Sequence, residues 1–248
     1  MTMRSFGWDG LRKGMAAVMT ACCLAGCAWA VAPSQAAAAG AVFCDGNTCL
    51  ILPEKPEIRD WPLARTEKRE RLNRAYSLEH YGQEITTIDP KAIVVHWTAS
   101  PDKDGVYRYF YPESVTEDGK ETLNVASQFL VDRDGTIYRL LPETMLARHS
   151  IGYNWCAIGI ENVGGVGDKE DLTREQLIAN LVLIRYLKGK YPGITHCWGH
   201  YQQKEARESG LYKELVPGYF HEKVDPGPDF MTKLQHNLED TGLVFYKP

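Results

Sequence analysis

The sequence lacks several features that would assign it to common protein classes. Its 248 residues carry a formal net charge of −4, so the excess of basic residues typical of nucleic-acid-binding proteins is missing. After residue 50 no apolar run is long enough to span a bilayer. There is no CxxC pair for a cysteine zinc site, no HExxH motif and no internal repeat. With an ordinary apolar fraction of 44%, the chain is expected to form one large globular domain or two small ones.

The first 32 residues differ from the rest of the chain. Basic residues precede a long apolar run, which is the pattern of an export signal. Within the run, Leu24-Ala25-Gly26-Cys27 resembles the lipobox of bacterial lipoproteins, where the signal is cut before the cysteine and the cysteine receives lipid. Ordinary cleavage, at Ala28-Trp29-Ala30 or among residues 36 to 39, is the alternative. We expect an exported periplasmic protein, anchored as an outer-membrane lipoprotein because Ala28 rather than Asp follows the cysteine.

The seven cysteines fall into two sets, of which the first belongs to the export signal. Of the other four, Cys44 and Cys49 flank the turn sequence Asp45-Gly46-Asn47-Thr48. A disulfide between them could close a small loop in an oxidising compartment. Cys156 and Cys197 either form a second pair or remain buried free thiols. We expect all four of these cysteines to have structural roles.

Apolar runs and helical periodicities alternate along the chain after residue 65. Strands are predicted at 92–96, 125–131, 136–141, 157–161 and 194–199, with a hairpin turn at Asp132-Arg133-Asp134-Gly135. Helices are predicted at 66–81, from a capping box at Thr173 to Pro192, and at 229–240. Strands interleaved with helices indicate an α/β fold, in which helices flank a central mixed sheet.

Three stretches are predicted to lie outside this regular pattern. Residues 33–65 form a tether and an extended arm, which leaves 66–248 as a single domain with an N-terminal extension. The helix at 66–81 has a narrow apolar stripe and is expected on the surface, with His80 exposed. Residues 101–124 form an irregular insertion rich in tyrosine, which either shapes substrate binding or is a surface elaboration.

Polar side chains stand at the ends of the predicted strands. His96 ends the first apolar run, Glu161 ends a later strand, and His200 follows another. Two imidazoles and one carboxylate are a known ligand set of catalytic zinc, with a fourth position left for water. A nearby carboxylate can take a proton from that water, and a lysine can stabilise an oxyanion. His196 is a weaker candidate because four residues along a strand separate it from His200 by roughly 13 Å.

Six blocks of sequence carry a resemblance to a known family. They are VVHWTAS, QFLVDRDGTIYRL, ARHSIG, AIGIENVG, GHYQ and KVDPGPDF, in that order. Together they resemble the zinc-dependent N-acetylmuramoyl-L-alanine amidases, a family that includes phage lysozyme-like amidases and peptidoglycan recognition proteins. By position, the resemblance implies that Zn²⁺ is bound by His96, His200 and Asp225. It also implies that Glu161 activates water and that Lys223 steadies the intermediate.

The resemblance also implies a substrate and a reaction. The protein would hydrolyse the amide between N-acetylmuramic acid and L-alanine in peptidoglycan or muropeptides, as a monomer that contacts the membrane only through its lipid. Substrate contacts are assigned to His149, Trp97 and Tyr109. The rival interpretations are a non-catalytic peptidoglycan-binding protein and a metallopeptidase that cuts within the stem peptide.

Overall fold

The computed structural model describes residues 40–46 and 48–247, so the predicted export signal and Cys27 lie outside the described residues. The strands are β1 (Val42–Asp45), β2 (Thr48–Ile51), β3 (Ile58–Asp60), β4 (Ala92–Trp97), β5 (Ser114–Glu117), β6 (Lys120–Leu123), β7 (Phe129–Val131), β8 (Ile137–Arg139), β9 (Ala157–Asn162) and β10 (His196–Gly199). The α-helices are α1 (Glu67–Tyr81), α2 (Lys103–Phe110), α3 (Arg174–Lys190) and α4 (Pro228–His236). No helix in the described part of the chain is long and apolar enough to cross a membrane.

Six strands form the central sheet in the order β10-β4-β9-β7-β8-β3. Strand β4 pairs in parallel with β10 on one side and with β9 on the other, whereas β7 and β8 pair antiparallel through the predicted hairpin turn. The prediction of an α/β fold with a central mixed sheet is therefore confirmed. The first four residues of β4 have no exposed surface, which explains why that strand reads as an unbroken apolar run.

Helix α3 covers the sheet and supplies much of the core. The predicted capping box is present, because the Thr173 hydroxyl accepts a hydrogen bond from the Gln176 backbone and the Gln176 side chain accepts one in return. Leu181, Ile184 and Leu187 lie on one face and are fully buried. Burial of each such side chain stabilises the fold by about 1.5–3 kcal/mol.

The stretch assigned to tether and arm contains strands. Strands β1 and β2 form a hairpin that is closed by a disulfide between Cys44 and Cys49. Strand β3 pairs in parallel with β8 and so becomes the edge of the central sheet. Cys156 and Cys197 are free and buried, which decides between the two alternatives that the sequence leaves open.

The prediction of an irregular insertion at 101–124 is wrong. The segment holds helix α2 and an antiparallel hairpin of β5 and β6. Asp102 caps α2 by accepting a hydrogen bond from the Gly105 backbone at 2.7 Å. The helix is too short for a clear periodicity, and Gly105 within it lowers the intrinsic helix propensity.

Helix α1 lies at the surface with one face exposed, as predicted, but the prediction of a narrow buried stripe with His80 exposed is wrong. Leu72 and Tyr76 are buried, and so are polar neighbours on the same face, among them Arg69 and His80. The His80 ring is paired with Glu214 at 2.9 Å instead of facing solvent. Hydrophobic periodicity underestimates the width of this face because four of the seven residues that α1 buries are polar.

Several predicted elements are longer than the observed ones. The strand predicted at 125–131 begins only at Phe129, and the helix predicted at 229–240 ends at His236. The residues before Phe129 are apolar or small but run as a loop toward the active-site region, with an isolated bridge from Val125 to Arg148. Apolar composition alone therefore overextends the strand.

Candidate active site

Three predicted ligands meet at one edge of the sheet. The Nδ1 atom of His96 lies 3.0 Å from Nδ1 of His200 and 3.1 Å from Oδ2 of Asp225. Nδ1 of His200 is 3.2 Å from the same carboxylate oxygen. All three side chains are largely buried. They form the one group of three or more His, Cys, Asp or Glu side chains, among the described residues, whose ligand atoms lie within 4.8 Å of each other.

The topology explains why residues so far apart in sequence converge. Strands β4 and β10 are parallel neighbours, so His96 and the residue after β10, His200, reach the same sheet edge. The backbone N–H of Tyr201 then donates to the carbonyl of Asp225 at 2.8 Å, which ties the third ligand to the second. A Cβ on Gly199 would lie 2.8 Å from Pro226, so glycine provides the space for this close approach.

The donor set fits a zinc ion. Two imidazole nitrogens and one carboxylate oxygen are typical zinc ligands, and ligands at about 2.0–2.1 Å around a tetrahedral ion would be separated by about 3.3 Å. The observed separations of 3.0–3.2 Å match that spacing. Nε2 of His200 is buried and has no hydrogen-bond partner, so His200 can adopt either tautomer without losing a contact at that atom.

The environment favours ligand-competent protonation states. Burial and the neighbouring His200 lower the pKa of His96 to about 4, so its imidazole is neutral at physiological pH. Burial alone would raise the pKa of Asp225, but its interactions with His200 and His96 outweigh burial and hold that pKa below the usual range. Neutral imidazoles and an ionised carboxylate are the forms that bind metals.

Glu161 and Lys223 lie beside the three ligands. Glu161 is the register partner of His96 on the adjacent strand, and its Oε2 atom is buried without a hydrogen-bond partner. Burial raises the pKa of Glu161, the charge of Asp225 raises it further, and Lys223 opposes both. Lys223 is exposed and lines the same cavity as Glu161. A carboxylate made more basic in this way is suited to accept a proton.

Two cavities extend from the ligand cluster. The first, of about 420 Å³, is lined by aromatic residues that include Trp97, Tyr109 and Phe110, and we call it the aromatic cavity. Tyr109 is 67% exposed, whereas Trp97 is buried at its base. The second, of about 530 Å³, is lined by Arg148 and its partners, and we call it the arginine cavity. His149, the remaining predicted substrate contact, borders both cavities.

Sequence reasoning missed Arg148 and its partners Tyr76 and Tyr219 in the arginine cavity. The guanidinium of Arg148 donates to the carboxylate of Glu117 at 2.6 Å and to the hydroxyl of Tyr219 at 2.7 Å, and it lies over the ring of Tyr76. Arg148 stands next to His149 within the block ARHSIG, and that position is the one signal that could have found it. Tyr76 comes from helix α1, and no local pattern connects it with the site.

The remaining histidines stay apart from the cluster. His196 lies in strand β10 as predicted, and its Nδ1 atom is 2.8 Å from the hydroxyl of Thr195. His221 borders the arginine cavity, and its backbone carbonyl accepts a hydrogen bond from Gln203. His236 is exposed on α4, as the sequence predicts.

Comparison with known proteins identifies the family. A family model described as N-acetylmuramoyl-L-alanine amidase matches residues 86–228, which is more than half of the chain. The endolysin of Escherichia phage T7 is 32% identical over 108 residues, covering 42% of this chain and 70% of the endolysin. Among solved structures, the amidase LysC from Clostridium intestinale URNW aligns with a TM-score of 0.48 at 21% identity, covering 75% of this chain and 99% of LysC. The chain therefore belongs to the N-acetylmuramoyl-L-alanine amidase family.

Proposed function

We propose that the protein is a zinc-dependent amidase that hydrolyses the bond between the lactyl group of N-acetylmuramic acid and L-alanine of the stem peptide. The observation that carries the proposal is the convergence of His96, His200 and Asp225 within hydrogen-bond distance of each other in an amidase-family chain. These three residues would hold the ion. When bound, zinc polarises a carbonyl and lowers the pKa of a bound water from about 9 in the aqueous ion to about 7.

Glu161 and Lys223 would perform the proton and charge chemistry. Glu161 accepts a proton from the attacking water while the water oxygen bonds to the carbonyl carbon. Lys223 donates a hydrogen bond to the carbonyl oxygen as that oxygen gains negative charge. Protonated Glu161 then returns the proton to the alanine nitrogen as the carbon–nitrogen bond breaks. The elements of water are thereby divided between the lactyl carboxyl group and the free amine.

The two cavities suggest how the substrate lies across the site. Tyr109 and Phe110 offer aromatic surface suited to the sugar. The arginine cavity is lined by Lys223 and by Arg148 in its pair with Glu117, and this polar lining suits the amides and charged groups of a stem peptide. The scissile amide would then lie between the cavities, over the residues that both share.

Product analysis tests the proposal. The chain from Gly40, which forms one compact unit, is incubated with muropeptides after chelation, with and without added zinc. Stem peptide that begins at L-alanine, formed only with zinc, is expected in the mass spectrum. Cleavage between stem residues would instead establish the metallopeptidase alternative. Retention of muropeptide without cleavage would establish the binding-protein alternative.

A substitution of Glu161 separates catalysis from metal binding. Glu161→Gln removes the proton acceptor and leaves the three ligands in place, so zinc content should stay at the wild-type level. The loss of general-base catalysis should lower kcat by about 10²–10⁴-fold. Glu54→Gln, at an exposed site outside the ligand cluster, is the control and should keep full activity. Full activity of Glu161→Gln would contradict the assigned role.

We further propose that the protein is exported and carries lipid on Cys27. The lipobox-like tetrapeptide supports this, and a disulfide between Cys44 and Cys49 is in keeping with an oxidising compartment. Cell fractionation of the full-length chain compares the wild type with Cys27→Ser. The variant is expected to leave the membrane fraction for the soluble periplasmic one. Membrane retention equal to that of the wild type would contradict lipidation at this residue.

A further inference from the structure

A neutral imidazole has one nitrogen that donates a hydrogen bond and one that accepts, so His96 can offer a lone pair from only one of them. Its Nδ1 atom faces His200 and Asp225. Its Nε2 atom faces Nδ1 of His149 at 3.1 Å. Which nitrogen of His96 carries the proton therefore depends on what His149 can accept.

The tautomer of His149 is set by a backbone carbonyl. Nε2 of His149 lies 3.2 Å from the carbonyl oxygen of Ala157, the first residue of β9. A carbonyl oxygen can only accept, so Nε2 of His149 must carry the hydrogen. In the neutral ring, Nδ1 is then an acceptor.

We propose that His149 is a positioning residue, which accepts a hydrogen bond from Nε2 of His96 and so directs the lone pair of His96 Nδ1 toward the metal. The inference rests on the proposed zinc-dependent function, and it differs from the substrate contact that the sequence assigns to His149. Hydrogen bonds from metal-binding imidazoles to neighbouring groups are a general means of fixing the ligand tautomer. Here the acceptor is His149, whose own ring is oriented by a hydrogen bond to the backbone carbonyl of Ala157.

The surroundings of His149 are built to hold its ring in this place. A Cβ on Gly159 would lie 2.8 Å from Cγ of His149 and 2.9 Å from its Nδ1, so a side chain on this strand residue would displace the ring. The side chain of Asn154 accepts hydrogen bonds from the backbone of His149 at 2.8 Å and of Ser150 at 2.7 Å. The same amide donates to the hydroxyl of Tyr76 at 3.1 Å, which secures the loop to helix α1.

The other imidazole ligand provides an internal contrast. Nε2 of His200 is buried and has no hydrogen-bond partner, so this ring lacks a partner on the side away from the other ligands. His96, by contrast, contacts the ring of His149, and the His96 and His149 rings meet edge to face with their centroids 5.2 Å apart. A defect at His149 should therefore reach the metal through His96.

The test begins with the wild-type protein. Long-range ¹⁵N–¹H NMR spectra of the zinc-free protein report which nitrogen of each histidine carries hydrogen. We expect His96 with hydrogen on Nε2 and His149 with hydrogen on Nε2. A folded protein in which His96 carries its hydrogen on Nδ1 would overturn the proposal. Because zinc is absent, this result does not depend on whether the proposed function is correct.

Variants then connect the tautomer with metal affinity. His149→Phe keeps an aromatic ring but cannot accept, and zinc affinity, measured by competition with a chromophoric chelator, should fall about 10–100-fold. His149→Asn places a carbonyl oxygen near the position of Nδ1 and should recover most of that affinity. Gly159→Ala should lower zinc affinity like His149→Phe, because it displaces the ring without altering any polar side chain.

The outcomes distinguish this role from substrate binding. His196→Phe, a change in a histidine outside the ligand cluster, is the control and should bind zinc like the wild type. If His149→Phe binds zinc with unchanged affinity and only raises KM, His149 is a substrate contact and the inference is wrong. If the wild type itself binds no zinc, the proposed function fails instead. Circular dichroism of each variant confirms that it is folded before affinities are compared.

Discussion

The floor and the outer wall of the cleft differ in the balance of apolar and polar contacts that hold them. The floor consists of the residues that end β4, β9 and β10 or follow them, and the strands behind it are almost completely buried. The outer wall consists of helix α1 and the β5–β6 hairpin, which pack Leu72, Tyr76 and Leu123 into the main core and add ion pairs at the surface. Lys68 pairs with Glu121 at 2.6 Å and Arg148 pairs with Glu117 at 2.6 Å. The Lys68–Glu121 pair is exposed, and such a pair contributes only about 0–1 kcal/mol.

The difference indicates a division of labour within the cleft. Apolar packing keeps the floor in the geometry that the chemistry requires, whereas the wall adds ion pairs to its apolar contacts. Helix α1 also precedes the residues that match the amidase family, while every ligand falls within that match. Changes in the floor should therefore affect metal and turnover, and changes in the wall residues that line the arginine cavity should affect substrate affinity.

The largest effect is expected from removal of a ligand in the floor. His200→Ala or Asp225→Ala leaves two donors, so zinc should be lost on dialysis and kcat/KM should fall by more than about 10³-fold. Metal analysis and muropeptide turnover measure the two effects. His236→Ala, which changes an exposed histidine on α4, should change neither. A ligand variant that keeps both zinc and activity would contradict the assignment of the site.

A methyl group in the floor should have the next largest effect. Gly199→Ala places a Cβ 2.8 Å from side-chain atoms of Met231, Pro226 and Tyr201. Such overpacking should lower the free energy of unfolding by about 1–3 kcal/mol and weaken zinc binding, since Pro226 follows a ligand directly. Urea denaturation measures the first effect.

Helix α3 offers a matched control for this change. A Cβ on Gly189 would meet no atom within 4 Å, so Gly189→Ala should be neutral or stabilise the protein by up to about 1 kcal/mol. Equal unfolding free energies for Gly199→Ala and the wild type would show that the floor is less tightly packed than the distances indicate.

A smaller effect is expected from the wall. Glu117→Gln weakens the attachment of the hairpin to Arg148, so KM should rise about two- to fivefold, while kcat and zinc content stay unchanged. Glu121→Gln, in the same hairpin but paired with Lys68, is the control and should leave KM at the wild-type value. A loss of zinc in Glu117→Gln would mean that wall and floor are coupled.

The buried thiols should show no reaction at all while the floor is folded. Burial raises the pKa of Cys156 to about 12 and also raises the pKa of Cys197. At pH 8 the reactive thiolate is therefore scarce, and both sulfurs are inaccessible. The chain from Gly40 should release no chromophore from a disulfide reagent at pH 8 until denaturant is added. Reaction of the native protein would reveal opening of the sheet beside the ligands.

Local sequence patterns predicted the floor well and the wall poorly. The apolar run that ends at His96 and the capping box at Thr173 each need only neighbouring residues to be recognised, and both occur as predicted. Helix α2 and the buried face of α1 were missed. Helix α2 is short and contains glycine, so its sequence shows no clear helical periodicity. Helix α1 buries Arg69 and His80, which an analysis of hydrophobic periodicity counts as solvent-exposed.

The sequence by itself determined the family, the α/β class and the candidate ligands, because each of them can be recognised from short stretches of neighbouring residues. Only the tertiary structure decided what surrounds them. Arg148 joins Tyr76 and Tyr219 in one cavity because helix α1 packs there, and His149 contacts His96 because Gly159 leaves space for its ring. The physical reason is that hydrogen bonds and close packing act between atoms brought together by folding, at separations in sequence that no local pattern records.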